Sequence, residues 1–143
     1  MRKLFLFLTL FMWVSAASPT SAAGIAIIVN VKNPTEDLSV LDLKNIYNVR
    51  LSRFGDNSPI ILSYQPGENE VSQQFFDLVV GRTMTQLNRF WATKIFSGRM
   101  LRPMKFTDDQ LVIQWISENI NGIGYIDQKN LTADVRQIAT ISY

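Results

Sequence analysis

An α/β layer fold with a largely parallel or mixed sheet is what the sequence predicts, and three observations carry that reading. Short apolar runs, Gly24 to Val31, Ile60 to Tyr64, Ile123 to Ile126 and Val135 to Ile141, alternate with stretches whose apolar residues recur at helical spacing. Capping residues, glycines and prolines fall between them. The first run is apolar on both alternating faces, as in a strand buried between two layers.

Taken in order, Gly24 to Val31 opens the domain, and Asn33-Pro34 breaks it. Ser39 is placed to cap a helix carrying Val40, Leu43, Ile46 and Tyr47. Arg50 to Pro59 reads as a loop turning at Gly55-Asp56-Asn57. Ile60 to Tyr64 is the second strand, ended by Pro66-Gly67. The next helix puts Val71, Phe75, Leu78 and Val79 on one face and stops at Gly81.

Thr83 with Gln86 forms a capping-box pattern for a helix with Met84, Leu87, Phe90, Trp91 and Ile95 as its stripe, ended by Gly98. Thr107 with Gln110 repeats the pattern, with Asp108 and Asp109 in the first turn, where the helix dipole favours negative charge. Leu111, Val112, Trp115 and Ile116 form the predicted buried face of that helix. Asn121-Gly122 turns the chain into the strand Ile123 to Ile126, and Val135 to Ile141 is a last strand.

Residues 1–23 read as an export signal: Arg2 and Lys3, an apolar run from Leu4 to Val14, then small residues ending Ser21-Ala22-Ala23. The run of about 11 residues is short against the roughly 20 that span a bilayer, so cleavage after Ala23 is expected, leaving one domain over 24–143. The 14 Lys and Arg include Arg2 and Lys3, so the mature chain carries 12 basic and 12 acidic residues and is formally neutral.

There is no cysteine and no histidine. Disulfides and a lipid-bearing cysteine are excluded, as are Ser-His and Cys-His nucleophilic pairs and the commonest zinc ligand sets. No catalytic residue, metal or cofactor is expected. The carboxylates Asp108 and Asp109 are adjacent on a helix and do not converge for acid/base work. Asn130-Leu131-Thr132 matches a glycosylation sequon, a triplet common by chance.

Charge is unevenly placed. Between Leu78 and Thr107 stand Arg82, Arg89, Lys94, Arg99, Arg102 and Lys105 with no acidic residue, so a charged ligand is expected to be an anion. Arg99, in Ser97-Gly98-Arg99, is the first choice to face it. Its plainer reading is a solvated helix-end cation. Phe90, Trp91, Phe96 and Phe106 interleave with these cations, but a neutral exported chain lacks the basic excess of nucleic-acid binders, and no nucleic-acid partner is expected.

Several segments together resemble the phosphate-binding periplasmic proteins of ABC importers, and in particular their small, half-length relatives. They are Ile28-Val29-Asn30 with Asn33-Pro34, Leu41 to Tyr47, Phe75 to Gly81, Trp91 with Phe96-Ser97-Gly98-Arg99 and Pro103, and Gly122-Ile123-Gly124-Tyr125-Ile126. The resemblance implies a single lobe of a type II periplasmic-binding-protein-like fold, with a mixed sheet of about four to five strands flanked by helices. It also implies a periplasmic, non-catalytic protein that is not membrane-embedded and that pairs with phosphate or a related oxyanion, an ABC transporter or another envelope protein.

In the full-length relatives an arginine and a Ser-Gly-Thr at a helix start hold phosphate between two lobes. Placing Phe76 on the family's phenylalanine puts Gln65 at the arginine and Glu70-Val71-Ser72 at the Ser-Gly-Thr, so Ser72 alone keeps a hydroxyl. The implied ligand set is Gln65, Ser72, Ser97, Arg99 and Tyr125. Two readings stay open: oxyanion binding by one lobe, with a homodimer as one way to rebuild a two-sided cleft, or an envelope interaction module that has lost anion binding.

Overall fold

A computed structural model describes residues 23–143. The export signal read from residues 1–23 lies, but for Ala23, outside the described residues. The described residues form a five-stranded mixed sheet with helices on both faces. Its strands are β1 (Gly24–Asn30), β2 (Ile61–Tyr64), β3 (Met104–Lys105), β4 (Gly122–Asp127) and β5 (Val135–Ser142), in spatial order β3-β2-β4-β1-β5. β2 runs parallel to β3 and β4, whereas β1 is antiparallel to β4 and β5.

Every residue of β1 is buried, because each of its faces meets a helical layer. Ile25, Ile27 and Val29 join the larger core under the helices α1 (Val40–Tyr47), α2 (Glu70–Phe75) and α3 (Met84–Phe96). Ala26 and Ile28 face α4 (Asp109–Glu118) with Val112, Ile113 and Ile116. The period-2 alternation of a strand thus sorts one apolar run into two cores.

Ser39 caps α1 in a full capping box with Asp42, and Thr83 does the same for α3 with Gln86. Gly81 and Gly98 close their helices with φ of 73° and 72°, the left-handed geometry that glycine adopts without a Cβ clash. Asn30 and Asn33 serve the C-terminus of α4: Asn30 Nδ2 donates to the carbonyls of Ile116 and Ser117, and Asn33 Nδ2 to that of Ile120. They answer carbonyls that a helix end leaves unpaired.

Several expected positions are corrected. α2 passes at Phe76–Val80 into a π-helical segment, with the Gly81 amide bonded to the Phe76 carbonyl. An i→i+5 ladder takes more residues per turn, so Leu78 rotates out to 47% exposure while Phe76 and Val80 turn inward. The N-cap of α4 is Asp108, not Thr107, in line with the stronger capping preference of aspartate. The buried stripe is then Val112, Ile113 and Ile116, and Leu111 faces out. Val40, at the first position of α1, is also exposed. The two-residue strand β3 has no sequence signal of its own.

Candidate functional site

Gln65, Ser72 and Tyr125 come together where β2 ends and α2 begins, and all three are buried. Tyr125 reaches this corner from β4. Its ring stacks on Phe75 with centroids 4.1 Å apart, and Phe75 meets Tyr47 edge-on at 4.8 Å. That aromatic packing fixes the position of the Tyr125 hydroxyl. The hydroxyl accepts a 2.9 Å hydrogen bond from the Gln65 amide and lies 2.8 Å from Ser72 Oγ. Burial pushes the Tyr125 phenol well above its ordinary pKa, with the Ser72 bond working in the opposite direction.

The other groups at this corner are likewise engaged. Gln65 Nε2 donates to Asp109 Oδ1 at 2.6 Å and to the Tyr125 carbonyl at 3.2 Å, while Gln65 Oε1 accepts from Asn69 Nδ2 at 2.9 Å. Asn69 is the N-cap of α2, its Oδ1 accepting from the amides of Val71 and Ser72. Asp109 Oδ2 accepts from the Asp127 amide at 3.0 Å and from Asn130 Nδ2 at 2.8 Å. A carboxylate of the chain itself therefore sits among three donors, and no buried side-chain polar atom among the described residues lacks a partner.

Outside this network lies an open concavity of about 770 Å³, whose lining among the described residues includes Glu70, Asp108, Asp109 and Asp127 against one cation, Lys129. Lys129 is paired with Asp127 at 3.2 Å. The field there is negative. Two unit charges about 4 Å apart interact by roughly 4 kcal/mol at an effective dielectric of 20, so an incoming oxyanion meets repulsion that the lone lysine does not cancel.

Ser97 and Arg99 are not part of this cluster. Both are exposed at the end of α3, and Ser97 Oγ donates to the Lys94 carbonyl. Arg99 lines a separate cavity of about 210 Å³ with Arg53 and the apolar Ile46, Ile60 and Met100. The basic run splits three ways. Arg102 and Lys105 border a groove with Trp91, Phe96 and Met104, whereas Arg82 and Arg89 face another with Lys44 and Arg50. Sequence spacing had put these cations together; the fold puts them on different surfaces.

Asn69, Asp109 and Asn130 complete the network and were not singled out from sequence as site residues. Asn69 carried a usable signal, a strong N-cap residue just before a helix. For Asp109 and Asn130 no local signal exists, since the contacts of Asp109 with Gln65 and with Asn130 join segments far apart in the chain.

No protein-family model and no curated protein matches this chain. Solved structures do. A phosphate ABC transporter substrate-binding protein with bound phosphate from Clostridium perfringens superposes with a TM-score of 0.66 at 20% identity, over 81% of this chain and 44% of its own. An ABC-type phosphate transport receptor from Vibrio cholerae gives 0.64 at 17%, over 81% and 45%. PstS from Borrelia burgdorferi gives 0.62 at 14%, over 82% and 47%. The chain has the fold of one lobe of these substrate-binding proteins and spans less than half the length of each. Among the described residues no helix is long and apolar enough to cross a membrane.

Proposed function

We propose that this protein is a non-catalytic lobe of the periplasm, built on the phosphate-receptor fold, that works as an interaction module and not as a carrier of free phosphate. One observation carries the reading. At the corner where an oxyanion was expected, Gln65, Asn69, Ser72, Asp109 and Tyr125 satisfy one another, and the Asp109 carboxylate takes hydrogen bonds that an anion would need. Opening the site would strand buried polar groups, at about 1–3 kcal/mol each.

The rim agrees with this. Its carboxylates oppose an anion, and Arg99, the cation that Ser97-Gly98-Arg99 was expected to supply, lies on another surface. A surface for contact is available near the sheet edge, where Phe96, 97% exposed, borders a groove with Met104. Titration of the purified protein with inorganic phosphate, followed by backbone amide shifts, tests the reading. The amides of Gln65, Val71 and Ser72 stay in place at millimolar phosphate if it is right; saturable movement of all three overturns it.

A further inference from the structure

We propose that the groove between the end of α1 and the first turns of α3, remote in function from the closed corner, is a binding site for a multiply charged, phosphate-bearing anion. It is an open concavity of about 680 Å³ lined by Lys44, Arg50, Arg82 and Arg89, with no carboxylate among the described residues of its lining. Its size suits a small-molecule ligand. Among the described residues the one ion pair is Lys129 with Asp127, so none of these four cations has a carboxylate within salt-bridge distance. Asp42, the acidic residue on α1, is committed to Ser39 in the capping box.

The plain alternative is that these cations answer the carbonyls at the end of α1. Those carbonyls are already taken. Asn48 Nδ2 donates to the carbonyls of Lys44 and Val80, and Trp91 Nε1 donates to that of Tyr47. The Asn45 carbonyl accepts from the amides of Arg50 and Leu51, and the Ile46 carbonyl from that of Val49. The helix end is satisfied by neutral groups, and the positive charge is left over.

One of the cations is held ready. Arg82 Nε donates to Asn48 Oδ1 at 2.7 Å, and its guanidinium carbon sits 4.5 Å from the centroid of the Phe90 ring. Asn48 is itself buried. A guanidinium fixed through Nε and a ring face keeps its two terminal nitrogens for a fork-like contact with phosphate oxygens. Lys44, Arg50 and Arg89 supply further charge around it. This site goes beyond the proposed function and does not depend on whether the corner at Gln65 is closed.

The test uses the purified protein with three probes: inorganic phosphate, tripolyphosphate, and vesicles of phosphatidylglycerol compared with phosphatidylcholine. Tripolyphosphate is expected to shift the amides of Lys44 to Arg50 and Gly81 to Phe90 saturably, more strongly than inorganic phosphate, and less as salt rises. Arg82→Gln with Arg89→Gln weakens that binding at least tenfold. Lys44→Gln with Arg50→Gln, which disturbs no hydrogen bond of either side chain, does so too. Binding to phosphatidylglycerol vesicles without binding to tripolyphosphate assigns the phosphate to lipid headgroups, each singly charged but multiply charged together as a surface; the reverse assigns it to a soluble ligand.

No binding of any of the three probes, or unchanged affinity in both double variants, overturns the site. Shifts confined to Gln65, Val71 and Ser72 overturn it together with the closed-corner reading. Shifts at both places support the groove and overturn only the closed corner.

Discussion

The Tyr125 hydroxyl lies 2.8 Å from Ser72 Oγ and accepts the Gln65 amide at 2.9 Å, so one phenol on β4 ties the end of β2 to the first turn of α2. Tyr125→Phe keeps the ring stacked on Phe75 but leaves the buried Gln65 amide without its acceptor. A loss of about 1–3 kcal/mol is expected, read as a lower urea midpoint with an unchanged slope. Ser72→Ala leaves that amide bonded and costs less, about 1 kcal/mol.

Asp109 is the second tie, holding Gln65, the Asp127 amide and Asn130 at once. Asp109→Ala is expected to destabilise the fold by about 1–3 kcal/mol, as donors that faced a charged acceptor lose it. In a double-mutant cycle with Gln65→Ala the two losses are not additive, and the coupling is measured from urea unfolding of the four proteins. Additive losses would mean that the 2.6 Å contact contributes nothing.

How much of this was legible from sequence depended on how local the cause was. The N-cap at Ser39, the capping box at Thr83, the stops at Gly81 and Gly98 and the two-faced burial of β1 each follow from a few neighbouring residues, and the structure has them. Leu78 was misplaced because a π-helical segment changes the period of a helix without any residue that announces it. Gln65, Ser72 and Tyr125 were named together through family resemblance. That they saturate one another depends on Asp109 and Asn69, which only the fold brings to Gln65. The cations from Arg82 to Lys105 looked like one patch because charge was counted along the chain; α3 and the loop after it distribute them over three surfaces.

Gly124 is needed for close approach. An added Cβ would collide with Ser63 Oγ, whose hydroxyl donates to the Ile123 carbonyl, and would come within 2.9 Å of Val112 Cγ1 on α4. Neither neighbour is free to move in a packed core. Gly124→Ala is expected to lower stability by about 1–3 kcal/mol, visible as a lower midpoint in thermal unfolding.

Two of the tyrosines make stability depend on alkaline pH. Burial raises the pKa of Tyr47 and of Tyr125, so the folded state favours the protonated phenols. Their contribution is complete below the unfolded-state value of about 10 and is lost as pH climbs from there towards the higher folded-state values. Urea midpoints should hold below pH about 10 and fall above it. In an absorbance titration, the ionisation of these two phenols should coincide with loss of the folded state.

The chain's own side chains occupy the corner between β2 and α2. The most direct measurement is a crystal structure of the protein soaked in phosphate. The expected result is that Asp109 remains bonded to Gln65 Nε2 and Asn130, with no phosphate at the start of α2. Phosphate held there by the amides of Val71 and Ser72 and by Ser72 Oγ, with Asp109 displaced, would contradict it.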